Sequence, residues 1–284
     1  MTNSSWHYII LIITSSITYF MGVGIARYLG YNIDATKVFL GVIWIIAIAV
    51  CSYSLRKIRF SKVDSLKENN RPKIKLYLYL LSSLTLLVSV SVVFYHFKEV
   101  YRNILFLYVI TIIIGFLYIF MDKNTEAFAD LLTVLYISYI IPYAAYVLQS
   151  GKDHPFIMLN AFYLIFVLLS YISLYDLSEY KSTQDIRGYS KIIELIGYRR
   201  GILFHNFSLI FAYLSCALLF FWGLPKNVYF PIFLTIPFSG YHVWKMLKLL
   251  EEEDTIFPWK KTIILHLFII FSLIYFPTYG YWMR

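Results

Sequence analysis

Nine stretches of roughly twenty apolar residues, broken by charge, Gly, Pro or Asn, dominate this 284-residue chain. They run over 7–28, 37–55, 76–97, 102–121, 127–149, 155–175, 203–223, 227–247 and 260–281. About 20 such residues in a helix cover the hydrocarbon core of a bilayer. Lipid offers no partner to a bare peptide group, so each stretch must close its hydrogen bonds within itself as a helix. Composition agrees: 60% of residues are hydrophobic and 14% charged, against about 25% charged in a soluble domain. A globule of this length has no room inside for so many apolar side chains. Disorder, a disulfide-stapled secreted domain and an ordinary soluble enzyme are therefore excluded. The expected fold is all-α: one transmembrane helical domain over 1–284, with nine membrane-spanning helices in a bundle and a cytoplasmic cap made by two long loops. Pro231 and Pro237 should kink or break the eighth span. The first span has no basic segment before it and no small-residue cleavage site, so it is expected to stay in the membrane.

The sparse charge is unevenly placed. Most connections are short, but 56–75 and 176–202 are long and polar, and with nine spans they share a face with 122–126 and 248–260. The first loop carries Arg56, Lys57, Arg59, Lys62, Lys67, Arg71, Lys73 and Lys75, and the second Lys181, Arg187, Lys191, Arg199 and Arg200. Positive residues stay on the cytoplasmic side. The long loops and the N-terminus are thus expected inside and the C-terminus outside. Topology already explains most of the net charge of +9, so nucleic acid is not an expected partner.

Both loops contain carboxylates at helical spacing. Asp176 and Glu179, followed by Asp185, stand at the end of the sixth span, and Asp64 and Glu68 lie four apart before Asn69, Asn70, Arg71 and Pro72. Carboxylates three or four apart share one side of a helix, and such a pair can hold a Mg²⁺ that also meets substrate phosphates. The plainer reading is a solvated loop whose acids neutralise nearby lysines. On local spacing alone that reading is the stronger one.

Nine spans with long polar loops after the second and sixth resemble the UbiA superfamily of intramembrane prenyltransferases. Asp176 and Glu179 stand where the first two acids of that family's second acidic motif belong, and Thr183, or Asp185 with a loop two residues longer, where the third does. Gly188 and the run Glu194, Leu195, Ile196 and Gly197 continue the likeness. Trp6, His7 and Tyr8 before an apolar helix, then Gly22 and Gly24, are similar to the family's start. Tyr118 and Lys123 resemble a Tyr and basic pair near its pocket, with Asp122 in place of one basic residue. The resemblance implies transfer of an isoprenyl group from a prenyl diphosphate to an aromatic or other small acceptor among membrane lipids. It implies Mg²⁺ held by Asp64, Glu68, Asp176 and Glu179, catalytic roles for Asp176, Glu179 and Asp185, and a diphosphate met by Arg56, Arg59, Arg71, Lys123, Arg187 and Lys191.

The first acidic motif departs from the family. Aligned on Arg71 and Pro72, Arg56 and Arg59 stand where two aspartates are usual, and Asp64 is one position from the last acid. Two positive charges for two negative ones weaken a divalent-ion site. The departure supports an alternative: a divergent relative that cyclises an isoprenoid, or binds a lipid or partner without prenyl transfer. A transporter is a third class, but the spans hold few of the ionisable residues that mark an ion path. His96, His205, His242 and His266, taken singly, read as interfacial or buried packing histidines, and Cys51 and Cys216 as buried thiols. Tyr53, Tyr118, Tyr171, Tyr175 and Tyr180 offer aromatic faces near the loops to a carbocation, though each one singly reads as packing. If Arg56, Lys57 and Arg59 contact phosphate directly, Arg56→Ala should lower prenyl transfer measured with and without Mg²⁺; unchanged activity contradicts that role.

Overall fold

The computed structural model describes residues 3–64, 71–96, 126–182, 192–251 and 257–283. Among them there is no strand. Helix α1 (Asn3–Tyr28) is followed by α2 (Ala35–Asp64), α3 (Arg71–His96) and α4 (Glu126–Leu135), then a π-helical turn (Tyr136–Ile140) and α5 (Ile141–Ser150). Next come α6 (Pro155–Ser182), the short α7 (Ile192–Ile196) and α8 (Tyr198–Phe221). A short α9 (Lys226–Tyr229), a 3₁₀ turn (Phe230–Thr235), α10 (Ile236–Glu251) and α11 (Trp259–Trp282) complete the order. The expected span at 102–121 lies outside the described residues; each other expected span coincides with helix. Among the described residues, five segments are long and apolar enough to cross a membrane: Trp6–Tyr28, Ala127–Ser150, Pro155–Tyr180, Tyr198–Phe221 and Trp259–Trp282. Ala35–Cys51 and Tyr77–Ser89 are shorter apolar helices.

Prolines shape two of these segments as their chemistry requires. Pro142 has no N–H to return to the carbonyl four residues back, and just before it the ladder widens, with Ile141 N–H bonding to Tyr136 O. The chain from Glu126 to Ser150 thus continues without a break. In the expected eighth span, Pro231 lies within the 3₁₀ turn and Pro237 in the first turn of α10. The predicted break is a change of helix type.

The bundle is arranged for lipid outside and polar groups inside. On α8, Phe207, Phe211, Leu214, Leu218 and Phe221 are exposed, whereas His205, Asn206, Ser208 and Ser215 are buried. Buried hydroxyls return to their own helix, as with Thr14 to Ile10 O at 2.8 Å and Ser15 to Leu11 O at 2.7 Å. Six consecutive residues of α1, Met21–Ala26, are buried, so α1 is enclosed on all sides. Its main neighbours are α5 and α11. Close approach depends on glycine, as in other membrane helix pairs. A Cβ on Gly22 would run into the Pro142 carbonyl oxygen and lie 2.8 Å from Ala145 Cβ, and one on Gly24 would lie 2.9 Å from the Trp282 ring. Cys51 and Cys216 are buried free thiols, as expected.

One end of the bundle collects the chemistry. The short connection after α1 turns α2 back alongside it, and α3 returns along α2. The start of α1 meets the end of α6 through His7 and Tyr171, and α7 packs on α6, α8 and the start of α4. A second apolar cluster sits there: Leu174 and Leu177 of α6, Ile193 of α7, Ile202 of α8, and Met246 and Leu249 of α10. The Gly22→Val variant should be destabilised by about 1–3 kcal/mol through overpacking. Thermal unfolding in detergent checks it, with the exposed Leu214→Val as a near-neutral control; an unaltered midpoint in Gly22→Val contradicts the crossing.

Candidate active site

Helix α6 does not stop where its hydrophobicity does. The apolar run ends near Tyr175, where a polar loop was expected, yet the helix continues to Ser182. No Gly or Pro intervenes, and Leu174 and Leu177 keep an inward stripe against Ile193, Ile202 and Met246. Asp176 and Glu179 are therefore on helix rather than loop. Asp176 is 3% exposed and Glu179 half-buried. Three residues apart, they fall on one side of α6.

A ring stack from two helices adjoins them. Tyr171, Tyr175 and Glu179 repeat every four residues and form one stripe. The Tyr175 hydroxyl donates to Glu179 Oε1 at 2.5 Å. His7 of α1 stacks on the Tyr175 ring at 4.1 Å between centroids and on Tyr171 at 5.5 Å. Its Nδ1 lies 3.0 Å from the Tyr171 hydroxyl. On the loop side, Tyr180 stacks on Tyr198 at 5.8 Å. Gly197, with φ +84°, supplies the left-handed residue that separates α7 from α8.

Of the residues expected in the site, the structure brings together Asp176 and Glu179. Tyr171 and Tyr175, two of the tyrosines named for their aromatic faces, stand beside them, and His7 joins these two rings. The likeness at Trp6, His7 and Tyr8 pointed to the start of α1 without saying what His7 touches; only the packing of α1 on α6 reveals that. Arg56, Arg59 and Asp64 are on the last turns of α2 and Arg71 opens α3, but their side chains lie outside the described residues. Glu68, Lys123, Asp185, Arg187 and Lys191 lie outside them altogether. The donors that are described suit Mg²⁺ in kind: carboxylate oxygens are its hard ligands, and Asp176 and Glu179 stand on one side of α6.

Among the described residues, a helical bundle with an apolar exterior and a buried Asp176 beside Glu179 at one end defines a polytopic membrane protein with a polar site at that end. Its structural relatives are specific. The chain is similar to a structure of digeranylgeranylglyceryl phosphate synthase, with TM-score 0.70, 17% identity and 100% of each chain covered. It is also similar to a UbiA homolog from Aeropyrum pernix K1, with TM-score 0.61, 10% identity and 92% of this chain and 94% of that one covered. The sequence matches no family model, and no curated protein matches it by sequence. The chain shares the helical fold of these two structures over nearly its whole length, the fold that the resemblance read in the sequence implied.

The contact between Tyr175 and Glu179 has a measurable consequence. Tyr175→Phe keeps the ring on His7 and removes the hydroxyl that restrains the carboxylate, so substrate turnover should fall about 5–30-fold with the fold intact, the loss of roughly one charge-assisted hydrogen bond of about 1–2 kcal/mol. Steady-state kinetics beside a thermal melt checks this; unchanged turnover contradicts a positioning role for Tyr175.

Proposed function

We propose that this protein is an intramembrane prenyltransferase that moves an isoprenyl group from a prenyl diphosphate to an aromatic or other small lipophilic acceptor. The observation that carries the reading is the pair Asp176 and Glu179 on helix α6, beside the His7, Tyr171 and Tyr175 rings, in a UbiA fold matched along the whole chain. The nine-span count, the cytoplasmic placement of this end and its cover by the two long loops are parts of the same proposal.

Asp176 and Glu179 would hold Mg²⁺, with Asp64 and Glu68 contributing from the first loop. Bound there, Mg²⁺ neutralises charge on a departing diphosphate. Everything else falls to the chain. Asp176, enclosed by helix packing, sits in a region of low dielectric, where a carboxylate paired with a bound cation would act on it strongly. The Tyr175 hydroxyl fixes the rotamer of Glu179. Arg56, Arg59, Arg71, Lys123, Arg187 and Lys191 are the cations available to diphosphate oxygens. As the C–O bond to the diphosphate breaks, positive charge develops on the allylic carbon, and the stacked Tyr171 and Tyr175 rings offer faces that stabilise it. The acceptor supplies the electron pair for the new bond and releases its proton. Cover of this end by the two long loops would keep out water that would otherwise capture the cation.

The arginines at 56 and 59 favour a second reading, in which the protein cyclises an isoprenoid or holds a lipid without transfer. One assay separates the two. Purified protein is incubated with prenyl diphosphates of several chain lengths and aromatic acceptors, and both released diphosphate and coupled product are measured. Coupled product, reduced at least about 100-fold in Asp176→Asn, is the expected result. Diphosphate release with an uncoupled cyclic product supports cyclisation, and neither product with any donor contradicts enzymatic transfer.

A further inference from the structure

Away from the carboxylates, three histidines that share no sequence spacing meet in the core. His205 comes from α8, His242 from α10 and His266 from α11, and each is fully buried. One ligand nitrogen from each lies within 4.8 Å of the others. The ring centroids are 5.1 Å apart for His205 and His242, 4.8 Å for His205 and His266, and 4.7 Å for His242 and His266. Three imidazoles at one point inside a membrane protein are not explained by packing, because apolar side chains fill such space without buried polar nitrogens.

The hydrogen bonds around the rings point inward. His205 Nδ1 lies 2.7 Å from Ser170 O of α6, which is an acceptor only, so this nitrogen carries the proton. The His205 Nε2 lone pair is then turned to the cluster, 2.9 Å from His242 Nε2. A backbone carbonyl that fixes the tautomer and aim of an imidazole is the usual outer support of a metal-bound histidine. His266 Nε2 lies 3.4 Å from Ser170 Oγ. Two nitrogens, His242 Nδ1 and His266 Nδ1, are buried with no hydrogen-bond partner. Unsatisfied buried polar atoms are costly and mark the place where a ligand belongs.

We propose that His205, His242 and His266 form a binding site for a divalent first-row transition metal ion, Zn²⁺ foremost, separate from the carboxylate end. Three neutral nitrogen donors suit Zn²⁺, and they discriminate against Mg²⁺ and Ca²⁺, which prefer oxygen. Zn–N bonds of about 2.0–2.1 Å in a tetrahedron set the donor atoms about 3.4 Å apart. The 2.9 Å contact opens and the longest separation closes by small ring rotations. Three histidines leave a fourth position for water or an anion. The first carboxylate along α6 toward the loop end is Asp176, about 4.5 Å of helix rise beyond Ser173, and Ser173 Oγ itself is 3.5 Å from His205 Nδ1. The ion would pin α8, α10 and α11 together directly beneath the acidic end of α6.

The test uses the full-length protein with any affinity tag removed. Metal analysis after purification and dialysis, followed by Zn²⁺ titration of chelator-treated protein, should give one ion per chain and a Zn²⁺-dependent rise in melting temperature. His242→Gln and His266→Gln should weaken Zn²⁺ binding at least about 10-fold, while Cys216→Ser, outside the cluster, should not. In the wild type, X-ray absorption of the Zn²⁺-loaded protein should show imidazole scattering at about 2.0–2.1 Å, a readout that does not depend on the variants folding. No stoichiometric binding after titration, a first shell without imidazole, or unchanged affinity in folded histidine variants each overturns the proposal.

Discussion

A backbone in lipid must satisfy itself, and every polar side chain that enters the membrane must find a partner or face inward. That constraint organises this molecule more than any single contact. It makes the described chain helical and turns α8 with phenylalanines and leucines outward and histidine, asparagine and serine inward. It also leaves packing to close crossings, such as Gly22 against Pro142 and Ala145. The same rule explains why polar groups cluster in the core. Asn160 donates to Phe156 O at 2.6 Å and to the Tyr281 hydroxyl at 3.1 Å, while Tyr229 and Tyr281 pair at 2.8 Å. Tyr213 reaches Thr235 and Ser239 at 2.5 Å each. Each cluster ties separate helices together where hydrophobic attraction between them is weak.

Within that frame the two ends of α6 differ. Asn160, near its start, is fully enclosed in a neutral hydrogen-bond cluster. The other end carries a buried Asp176, a restrained Glu179 and a stack of rings shared with α1. This end sets a buried carboxylate and a second, restrained one beside rings from two helices, the kinds of group that prenyl diphosphate chemistry uses. The histidine cluster lies between, closer to the acidic end, where His205 of α8 and His266 of α11 meet Ser170 and Ser173, and His242 of α10 meets His205.

Much of this was legible in the chain because its signals are local. A run of about 20 apolar residues has one stable form in a bilayer, and Pro231 and Pro237 announced a kink or break, which the structure realises as a change of helix type. The fold likeness was carried by loop positions and by Asp176 and Glu179. Boundaries were less legible. Charge ended the apolar runs at 55 and 175, but helix continued to Asp64 and Ser182, since polar residues without Gly or Pro do not end a helix. The π-helical turn before Pro142 gave no signal, because a proline inside an apolar run predicts a disturbance without saying how the ladder absorbs it. His7 on Tyr175, and His205 with His242 and His266, depend on tertiary packing. Residues 37 and 24 positions apart in sequence have no motif to announce them.

The central claim is that the acidic end of α6 is where a prenyl diphosphate reacts. A structure of the protein with Mg²⁺ and a prenyl thiolodiphosphate, whose C–S bond resists cleavage, tests it most directly. The account predicts the diphosphate beside Asp176 and Glu179, with the first isoprene unit against the Tyr171 and Tyr175 rings. A diphosphate bound elsewhere, or intact protein that takes up the analogue with no contact to Asp176 or Glu179, would contradict it.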